Sequence, residues 1–305
     1  MDGVVAQLVE RLVRNEKVRG SIPLNSTKKR LDQFMKPFTP LLNNQWVLIT
    51  GASSGFGAAA ARAFGAAGAR LLLGARRVPL LEQVAAQARA NGAPAVHVHA
   101  LDVTQTDSVT QFMRWAGEFL QSPENPAGRL QVLVNNAGGA LGLDTVAQGQ
   151  DQDWEIMMQT NVLGLLRMTR AALPWLAHHA GATILNIGSY AGHTAYEGGA
   201  AYCAAKAGEL QITRSLRLEL LGTGIRVTTI DPGLAETEFS VVRFHGDQAR
   251  ADKVYAGMTP LSAEDIAETL VWVAGRPAHV NIDELLIKPV DQASMTKINR
   301  RIPAS

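Results

Sequence analysis

The residues best suited to do chemistry in this chain are a tyrosine and a lysine four positions apart, Tyr202 and Lys206. No glycine or proline lies between them, and on a helix this spacing places both side chains on one face. A tyrosine is protonated at neutral pH, and a nearby fixed cation stabilises its deprotonated form, as a general acid and base requires. The same spacing is common on ordinary solvent-facing helices, so the function of the pair depends on the rest of the sequence.

Composition excludes several classes of protein. At 305 residues, with 47% hydrophobic and 18% charged residues, the chain is long enough for a large core and too apolar to be disordered. Its single cysteine, Cys203, excludes an internal disulfide, and the seven histidines form no ligand-spaced cluster with carboxylates. We therefore interpret Cys203 as a packing residue, predict no metal site, and expect a cytoplasmic protein.

The net charge of +2 is unevenly distributed along the chain. Residues 1–40 carry eight Lys or Arg against four Asp or Glu, whereas residues 41–305 carry 21 against 23. A basic excess confined to one terminal segment does not indicate a nucleic-acid partner, and no apolar run is long enough to cross a membrane. We expect a small-molecule substrate, with neither nucleic acid nor membrane as a partner.

Residues 1–40 resemble the rest of the chain poorly, and we predict a disordered or non-native extension ahead of one domain at residues 41–305. The segment lacks the apolar run and cleavage site of a secretory signal, and its acidic residues disfavour a mitochondrial presequence. One hypothesis is that the stretch from Val4 to Pro23 is a transfer-RNA gene translated in frame, with Met35 as the true start.

Strand-like and helix-like stretches alternate from Trp46 onward. Short apolar runs predict strands at Trp46–Thr50, Arg70–Leu73, Val96–His99, Leu130–Val134, Thr183–Ile187, Ile225–Ile230 and Glu284–Ile287. Helices are predicted at Ala58–Ala67, Leu80–Ala90, Asp107–Leu120, Asp153–Ala177, Ala201–Leu221 and Ala263–Ala274. This alternation predicts an α/β fold, a single-domain Rossmann-type doubly wound parallel sheet of about seven strands with helices on both faces.

A glycine-rich turn follows the first predicted strand. Between a strand and a helix, such a turn directs backbone N–H groups and the helix N-terminus toward an anion, which suits a pyrophosphate. The spacing differs from the common Gly-x-Gly-x-x-Gly fingerprint, and glycines in a tight corner are often purely structural. We favour phosphate binding by the residues of this turn, Gly51, Ser53, Ser54, Gly55, Phe56 and Gly57.

The end of the second strand predicts which dinucleotide binds. An acidic residue there holds the ribose 2′-hydroxyl of NAD, whereas an arginine accommodates the 2′-phosphate of NADP. No Asp or Glu occurs between Gly51 and Glu82, so we predict NADP, with Arg76 as the main phosphate ligand and Arg77 as the second. Either arginine could instead be a solvent-facing charge at the start of a helix.

Polar residues also follow the third and fourth strands. Asp102, beside Val103, could accept a hydrogen bond from the adenine amine, and Asn136 lies where ligands bind in open α/β sheets. An Asp or Asn after a strand is also a common helix cap. Their joint placement at one edge of the sheet favours cofactor binding.

Together these motifs resemble the short-chain dehydrogenase/reductase superfamily. The resemblance runs from about Asn44 to the end and rests on Thr50-Gly51-x3-Gly55-x-Gly57, Asn135-Asn136-Ala137-Gly138, Ser189, Tyr202-x3-Lys206 and Asp231-Pro232-Gly233. It implies a catalytic tetrad of Asn161, Ser189, Tyr202 and Lys206, with Ser189 thirteen residues before Tyr202.

The resemblance also implies a role for each residue. Tyr202 would move the proton, Lys206 would hold the cofactor ribose, and Ser189 would bond the substrate oxygen. Asn161 would bind a relay water, although a helix-interior amide can simply satisfy local backbone. Cofactor contacts are implied for Pro232, Gly233 and Thr237.

The later part of the chain narrows the resemblance. The stretches Asp231–Ser240 and Pro277–Ile282 are similar to the NADP-dependent 3-hydroxy acid dehydrogenase group, which includes serine 3-dehydrogenases. This implies a homotetramer that oxidises the β-hydroxyl of acids such as 3-hydroxypropionate, serine or allo-threonine, or reduces malonic semialdehyde.

The segment at residues 234–256 would form a substrate lid that excludes water. Within it we predict Arg243 as a carboxylate clamp, since a guanidinium binds a carboxylate through two hydrogen bonds, although an exposed lid arginine can also lack any role. His193 and Tyr196 are further candidate pocket residues. Two alternatives stay open: a reductase of another carbonyl class, such as a 3-oxoacyl thioester or bulky ketone, and a non-catalytic NADP-binding sensor.

Overall fold

Seven parallel strands form the centre of the computed structural model, which describes residues 42–123, 125, 129–176 and 181–301. The strands are β1 Trp46–Thr50, β2 Arg70–Ala75, β3 Val96–Ala100, β4 Val132–Asn135, β5 Thr183–Ile187, β6 Arg226–Pro232 and β7 Glu284–Ile287. Their order in the sheet is β3-β2-β1-β4-β5-β6-β7. The winding direction reverses between β1 and β4, and the crevice at their carboxyl ends is where such sheets bind ligands.

Helices follow the strands and cover both faces of the sheet. They are α1 Gly55–Ala66, α2 Val78–Ala90, α3 Thr106–Leu120, α4 Asp151–Met157, α5 Gly164–Leu176, α6 Ala200–Glu219, α7 Phe239–Arg243, α8 Gln248–Tyr255 and α9 Ala263–Ala274. Within the part of the chain that the structure describes, no helix combines the length and apolar character of a membrane span. The predicted extension at residues 1–40 lies outside the described residues.

The core has two halves because alternate strand residues point to opposite faces of the sheet. In β1, Val47 and Ile49 face the half that includes Phe64 of α1, whereas Leu48 faces the half that includes Phe112 of α3. All five side chains are fully buried, and each such burial contributes roughly 2 kcal/mol. The sheet is therefore anchored from both sides, and only its edges remain free for a site.

The predicted helix Asp153–Ala177 is observed as one helical run over the described residues 151–176. Between α4 and α5 lies a π-helical turn, Met158–Leu163, which inserts one extra residue into the helical repeat. Within it, Asn161 Nδ2 donates to Met157 O at 2.8 Å and to Gly139 O at 3.0 Å. Apolar periodicity predicts the helix but does not reveal this single-residue insertion.

Strand β6 is longer than the predicted Ile225–Ile230. It continues through Asp231 and Pro232 because β7 pairs with both residues, in the register Asp231–Leu286 and Pro232–Ile287. The Asp231 side chain consequently lies within the sheet and is almost completely buried.

A buried arginine connects β6 to the end of α9. Arg226 Nη1 donates to Val273 O at 3.1 Å and Val280 O at 3.3 Å, and Nη2 donates to Ala274 O at 2.7 Å and Gly181 O at 3.3 Å. Two of these carbonyls belong to the last turn of α9, where backbone oxygens lack helical partners and favour a cation. Burial, with a smaller contribution from nearby charge, lowers the pKa of Arg226 to about 10.

We expect Arg226→Met to lower the free energy of unfolding by about 3 kcal/mol, because it leaves buried carbonyls without donors. Urea unfolding followed by circular dichroism measures the loss. The matched control is Arg214→Met, which removes an ion pair to Glu284 from an exposed arginine and should cost far less. Equal losses for the two variants would contradict this account.

Candidate active site

A cleft of about 700 Å³ opens at the carboxyl edge of the sheet, within the size range of cofactor and ligand sites. Its walls come from the glycine-rich turn after β1, the ends of β2 to β6, and the segment that follows β6. Every residue predicted for the site lines this cleft except Gly57, Asn161 and His193. The structure thus brings three of the four tetrad residues, and all the predicted cofactor residues except Gly57, into one cavity.

The glycine-rich turn is shaped by close backbone approach. Gly51 and Gly55 have φ values of +64° and +52°, which favour glycine. A Cβ atom on Gly57 would lie 2.5 Å from both Asn136 Nδ2 and Gly51 O. No side chain caps the first N–H groups of α1, so these donors are available at the turn.

Asn136 locks the glycine-rich turn to the end of β4. Its Nδ2 donates to Thr50 O at 2.9 Å and Gly51 O at 3.1 Å, and Thr50 Oγ1 accepts from the backbone nitrogens of Asn136 and Ala137, both at 3.0 Å. The Asn136 amide therefore shapes the turn from behind. Direct contact of Asn136 with a cofactor stays a prediction.

The two predicted phosphate arginines differ in their surroundings. Arg77 Nη2 donates to Ser54 Oγ at 2.6 Å and to Glu238 Oε2 at 3.1 Å, so this guanidinium is already engaged. Arg76 is exposed, and among the described residues it has no hydrogen bond or ion pair. A free guanidinium at the end of β2, together with the uncapped turn, fits a phosphorylated dinucleotide.

Asp102 forms a tight local turn at the end of β3. Its Oδ1 accepts from Thr104 N at 3.0 Å and Thr104 Oγ1 at 2.7 Å. Thr237 lies beside the glycine-rich turn, with its Cβ atom 3.6 Å from the position a Cβ atom of Gly55 would take. Asp102 and Thr237 both line the cleft.

Tyr202 and Lys206 lie on α6 and share one face, as their spacing predicts. Tyr202 is 8% exposed and Lys206 6% exposed, and Lys206 Nζ lies 6.0 Å from the centre of the Tyr202 ring. Lys206 Nζ donates to Ile187 O at 2.8 Å and to Glu209 Oε2 at 2.7 Å. The lysine is therefore held from the sheet and from its own helix.

Burial and the neighbouring carboxylate act in opposite directions on Lys206. Burial acts to lower its pKa, but attraction to Glu209, with smaller contributions from Tyr202 and Asp231, outweighs burial and raises the pKa above its ordinary value. Burial raises the pKa of Glu209 to about 7, although Lys206 acts to lower it. The ammonium thus keeps its proton because a carboxylate lies beside it.

Ser189 and Asn161 complete the predicted tetrad. Ser189 lies beyond the end of β5, where its Oγ accepts from Ala191 N at 3.1 Å and starts a short 3₁₀ turn. Asn161 Oδ1 accepts from Gly139 N at 3.1 Å. A Cβ atom on Gly138 would lie 2.6 Å from Asn161 Oδ1 and 3.6 Å from Lys206 Nζ, so the glycine leaves room between the two.

Arg243 lines the cleft near two tyrosines, Tyr196 and Tyr202. Its Nε donates to Gly142 O and its Nη2 to Tyr196 Oη, both at 2.9 Å. The guanidinium carbon is 5.4 Å from the centre of the Tyr196 ring and 5.7 Å from that of Tyr202. Burial raises the pKa of Tyr196 to about 12, with Arg243 acting in the opposite direction, so this phenol stays protonated.

His193 was a candidate pocket residue, but it does not line the cleft. Its Nε2 lies 2.7 Å from Asp231 Oδ2, and Asp231 Oδ1 accepts from Thr229 Oγ1 at 2.6 Å.

Cys203 is half-buried, and burial raises the pKa of its thiol, which agrees with a packing role. No group of three or more potential metal ligands occurs among the residues that the structure describes.

Three residues of the site have no counterpart in the sequence predictions. Glu209 follows Lys206 by three positions, and helical i, i+3 pairing was a signal that could have identified it. Gln292 Oε1 accepts from Leu234 N at 2.8 Å and fixes the start of the segment after β6. Met295 lines the cleft from the same late part of the chain, which no local motif connects to the site.

Comparison with known proteins agrees with the fold and the site. A model of the short chain dehydrogenase family matches residues 45–247, which is more than half of the chain. A sulfoacetaldehyde reductase of Chromohalobacter salexigens is 46% identical over 248 residues, covering 81% of this chain and 94% of that protein. An NADP-dependent 3-hydroxy acid dehydrogenase of Schizosaccharomyces pombe is 40% identical over 261 residues, covering 85% and 98%.

A solved structure extends the similarity to three dimensions. The closed form of a serine dehydrogenase complexed with NADP+ superposes with a TM-score of 0.75 at 39% identity, and covers 85% of this chain and all of that one. The predicted single α/β domain with a doubly wound parallel sheet is confirmed. The chain belongs to the short-chain dehydrogenase family.

Proposed function

We propose that this chain transfers a hydride between NADP and the 3-hydroxyl or 3-oxo group of a short acid, of the serine, 3-hydroxypropionate, allo-threonine or malonic semialdehyde type. The observation that carries the proposal is the position of Arg243, whose guanidinium lies 5.7 Å from the Tyr202 ring centre. A cation this close to the proton-transferring group selects substrates that carry an anion one or two bonds from the reacting carbon.

The reaction class follows from the family. The chain is an NADP-dependent oxidoreductase that acts on CH–OH groups. This class favours catalysis over the alternative of a non-catalytic sensor. A homotetramer and a cytoplasmic location remain predictions from the resemblance.

Tyr202 is the proton carrier in this proposal. The bound cofactor would supply the hydride as NADPH in reduction and accept it as NADP+ in oxidation. In reduction the Tyr202 hydroxyl gives its proton to the substrate oxygen, and in oxidation the tyrosinate takes the alcohol proton. The Lys206 ammonium stabilises the tyrosinate, and Ser189 Oγ, which lines the same cleft, donates a hydrogen bond to the substrate oxygen.

The acid group of the substrate would bind between Arg243 and Tyr196. Among the described residues, Arg243 Nη1 has no hydrogen-bond partner, while Nε and Nη2 are held by Gly142 and Tyr196. The Tyr196 hydroxyl accepts from Arg243 and keeps its own proton as a second donor. One ionic donor and one neutral donor on a fixed frame suit a small oxyanion.

A sulfonate is a second candidate for the anionic group. The favouring observation is the 46% identity to a sulfoacetaldehyde reductase. A guanidinium and a phenol bind sulfonate and carboxylate oxygens through the same hydrogen bonds, so the two candidates share one binding mode. Rates with sulfoacetaldehyde and malonic semialdehyde, measured side by side, distinguish them.

We expect Arg243→Met to raise KM at least about tenfold for the preferred acid substrate, because a lost charge-assisted hydrogen bond costs about 1.5–3 kcal/mol. The rate with propanal, which has no acid group, should be unaffected. Steady-state kinetics with NADPH measures both. The matched control is Arg250→Met in the same segment, where the guanidinium stacks 4.4 Å from the Phe244 ring centre and does not line the cleft.

Two results would overturn the anion proposal. An unchanged KM for every acid tested would remove the role of Arg243. A wild-type preference for neutral ketones or 3-oxoacyl thioesters over short acids would instead favour the other carbonyl class.

We expect Arg76→Ala to weaken NADPH binding about 10- to 100-fold and to leave NADH binding within about twofold, because only the former carries the 2′-phosphate. Fluorescence titration of the two cofactors gives the dissociation constants. Arg77→Ala is the comparison variant, and its effect should be smaller because Arg77 is already engaged by Ser54 and Glu238. Equal weakening of NADPH and NADH in Arg76→Ala would contradict the assignment.

A further inference from the structure

The Lys206–Glu209 pair is the most deeply buried ion pair of the candidate active site. The two side chains are 6% and 3% exposed, and Nζ lies 2.7 Å from Oε2. A buried ammonium loses its proton readily unless an anion compensates for the lost water. The carbonyl of Ile187, the other bond acceptor of Lys206, supplies a dipole but no charge.

Few other charges face the pair. Tyr202 lies one turn away on α6, and Asp231 of β6 adds a smaller attraction to Lys206 and a smaller repulsion to Glu209. Asp231 is itself bonded to His193 and Thr229. Glu209 is therefore the one carboxylate in direct contact with the Lys206 ammonium among the described residues.

We propose that Glu209 is a positioning residue that keeps Lys206 charged and directs its ammonium toward the catalytic tyrosine. An ammonium has three N–H donors. Two of those of Lys206 are fixed by Ile187 O and Glu209 Oε2, which leaves the third without a partner among the described residues, with Nζ 6.0 Å from the centre of the Tyr202 ring. The proposal rests on the reaction class and on Tyr202, and does not depend on which alcohol is the substrate.

The charge of Glu209, and with it the support that Glu209 gives to the Lys206 ammonium, depends on pH. Burial raises the pKa of Glu209 from 4.5 to about 7, so Glu209 is neutral in the folded protein below about pH 7 and ionised above it. The electrostatic support of Lys206 is therefore present at alkaline pH. The contribution of Glu209 to the free energy of unfolding changes with pH in the opposite direction. Because the pKa of Glu209 is higher in the folded than in the unfolded protein, this contribution is fully present below pH 4.5 and is lost as the pH rises through about 7.

The first test follows the charge of Lys206 without any substrate. Lysine is labelled with carbon-13 at Cε in the cofactor-free protein, and the Lys206 signal is identified by its loss in Lys206→Met. In Glu209→Gln, which keeps the side-chain shape and removes the charge, we expect Lys206 to lose its proton at least about two pH units lower than in wild type. An unchanged titration would refute the proposal, whatever the substrate proves to be.

The second test measures the consequence for catalysis. We expect kcat for alcohol oxidation in Glu209→Gln to lie about tenfold below wild type near pH 9 and within about twofold near pH 6, where the side chain at position 209 carries no charge in either protein. Glu209→Asp keeps the charge and should recover most of the loss near pH 9. Glu219→Gln, an exposed glutamate at the end of α6, is the matched control and should follow wild type at every pH.

A purely structural role for Glu209 gives a different pattern. Then Glu209→Gln would lower kcat by the same factor at all pH values, and Glu209→Asp would recover nothing specific to alkaline pH. Melting temperatures measured from pH 4.5 to pH 8 provide the independent readout of folding. The wild-type advantage over Glu209→Gln should shrink across this range, as the sign above requires.

Discussion

The parallel pairing of β1 with β4 determines where this protein can bind a ligand. Because the connections lead away in opposite directions from this pair, they leave a crevice at the carboxyl ends of the two strands. The gap is closed from behind by Thr50 and Asn136, whose hydrogen bonds join the ends of the two strands. The glycine-rich turn rests on this junction, and a side chain at Gly57 would displace it.

The segment after β6 completes the cavity because contacts on separate sides hold it. Gln292 fixes its start at Leu234, Glu238 reaches Arg77 at the cofactor end, and Arg243 exchanges hydrogen bonds with Gly142 at the substrate end. Since Arg77 also bonds Ser54 of the glycine-rich turn, one arginine touches both walls of the cleft. Cofactor binding at the turn and the position of the segment are thus physically connected.

The sequence predicted those features whose cause is local. Strands β1, β5 and β7 and helix α9 have the predicted bounds, since their apolar runs end at residues that cannot extend them. The glycine-rich turn and the Tyr202–Lys206 pair could be recognised because the spacing of each is a property of one short stretch, whereas Asn161 and Ser189 were assigned through the family resemblance. The predicted end of β6 was too early, and the π turn within the helix at Asp153–Ala177 was missed, because a strand partner and a single-residue insertion depend on distant contacts.

The same reasoning explains which site residues escaped prediction. Gln292 reaches Leu234 across 58 positions of sequence, and its role exists only once the chain has folded. His193 was expected in the pocket because it lies between Ser189 and Tyr202. The buried Asp231 carboxylate binds its ring instead, and Asp231 was expected beyond the strand.

Three positively charged side chains of the site differ in how much negative charge or polarity the protein places beside them. Arg76 has no anionic partner among the described residues, Arg243 is bonded to a carbonyl and a phenol, and Lys206 is bonded to a full carboxylate. The proposed roles agree with this difference. The cofactor phosphate would supply a negative charge to Arg76, and the acid group of the substrate would supply one to Arg243. Lys206 receives no charge from a ligand. Its ammonium must persist in the free enzyme as well as during proton transfer, and a buried carboxylate three residues along the same helix meets that requirement.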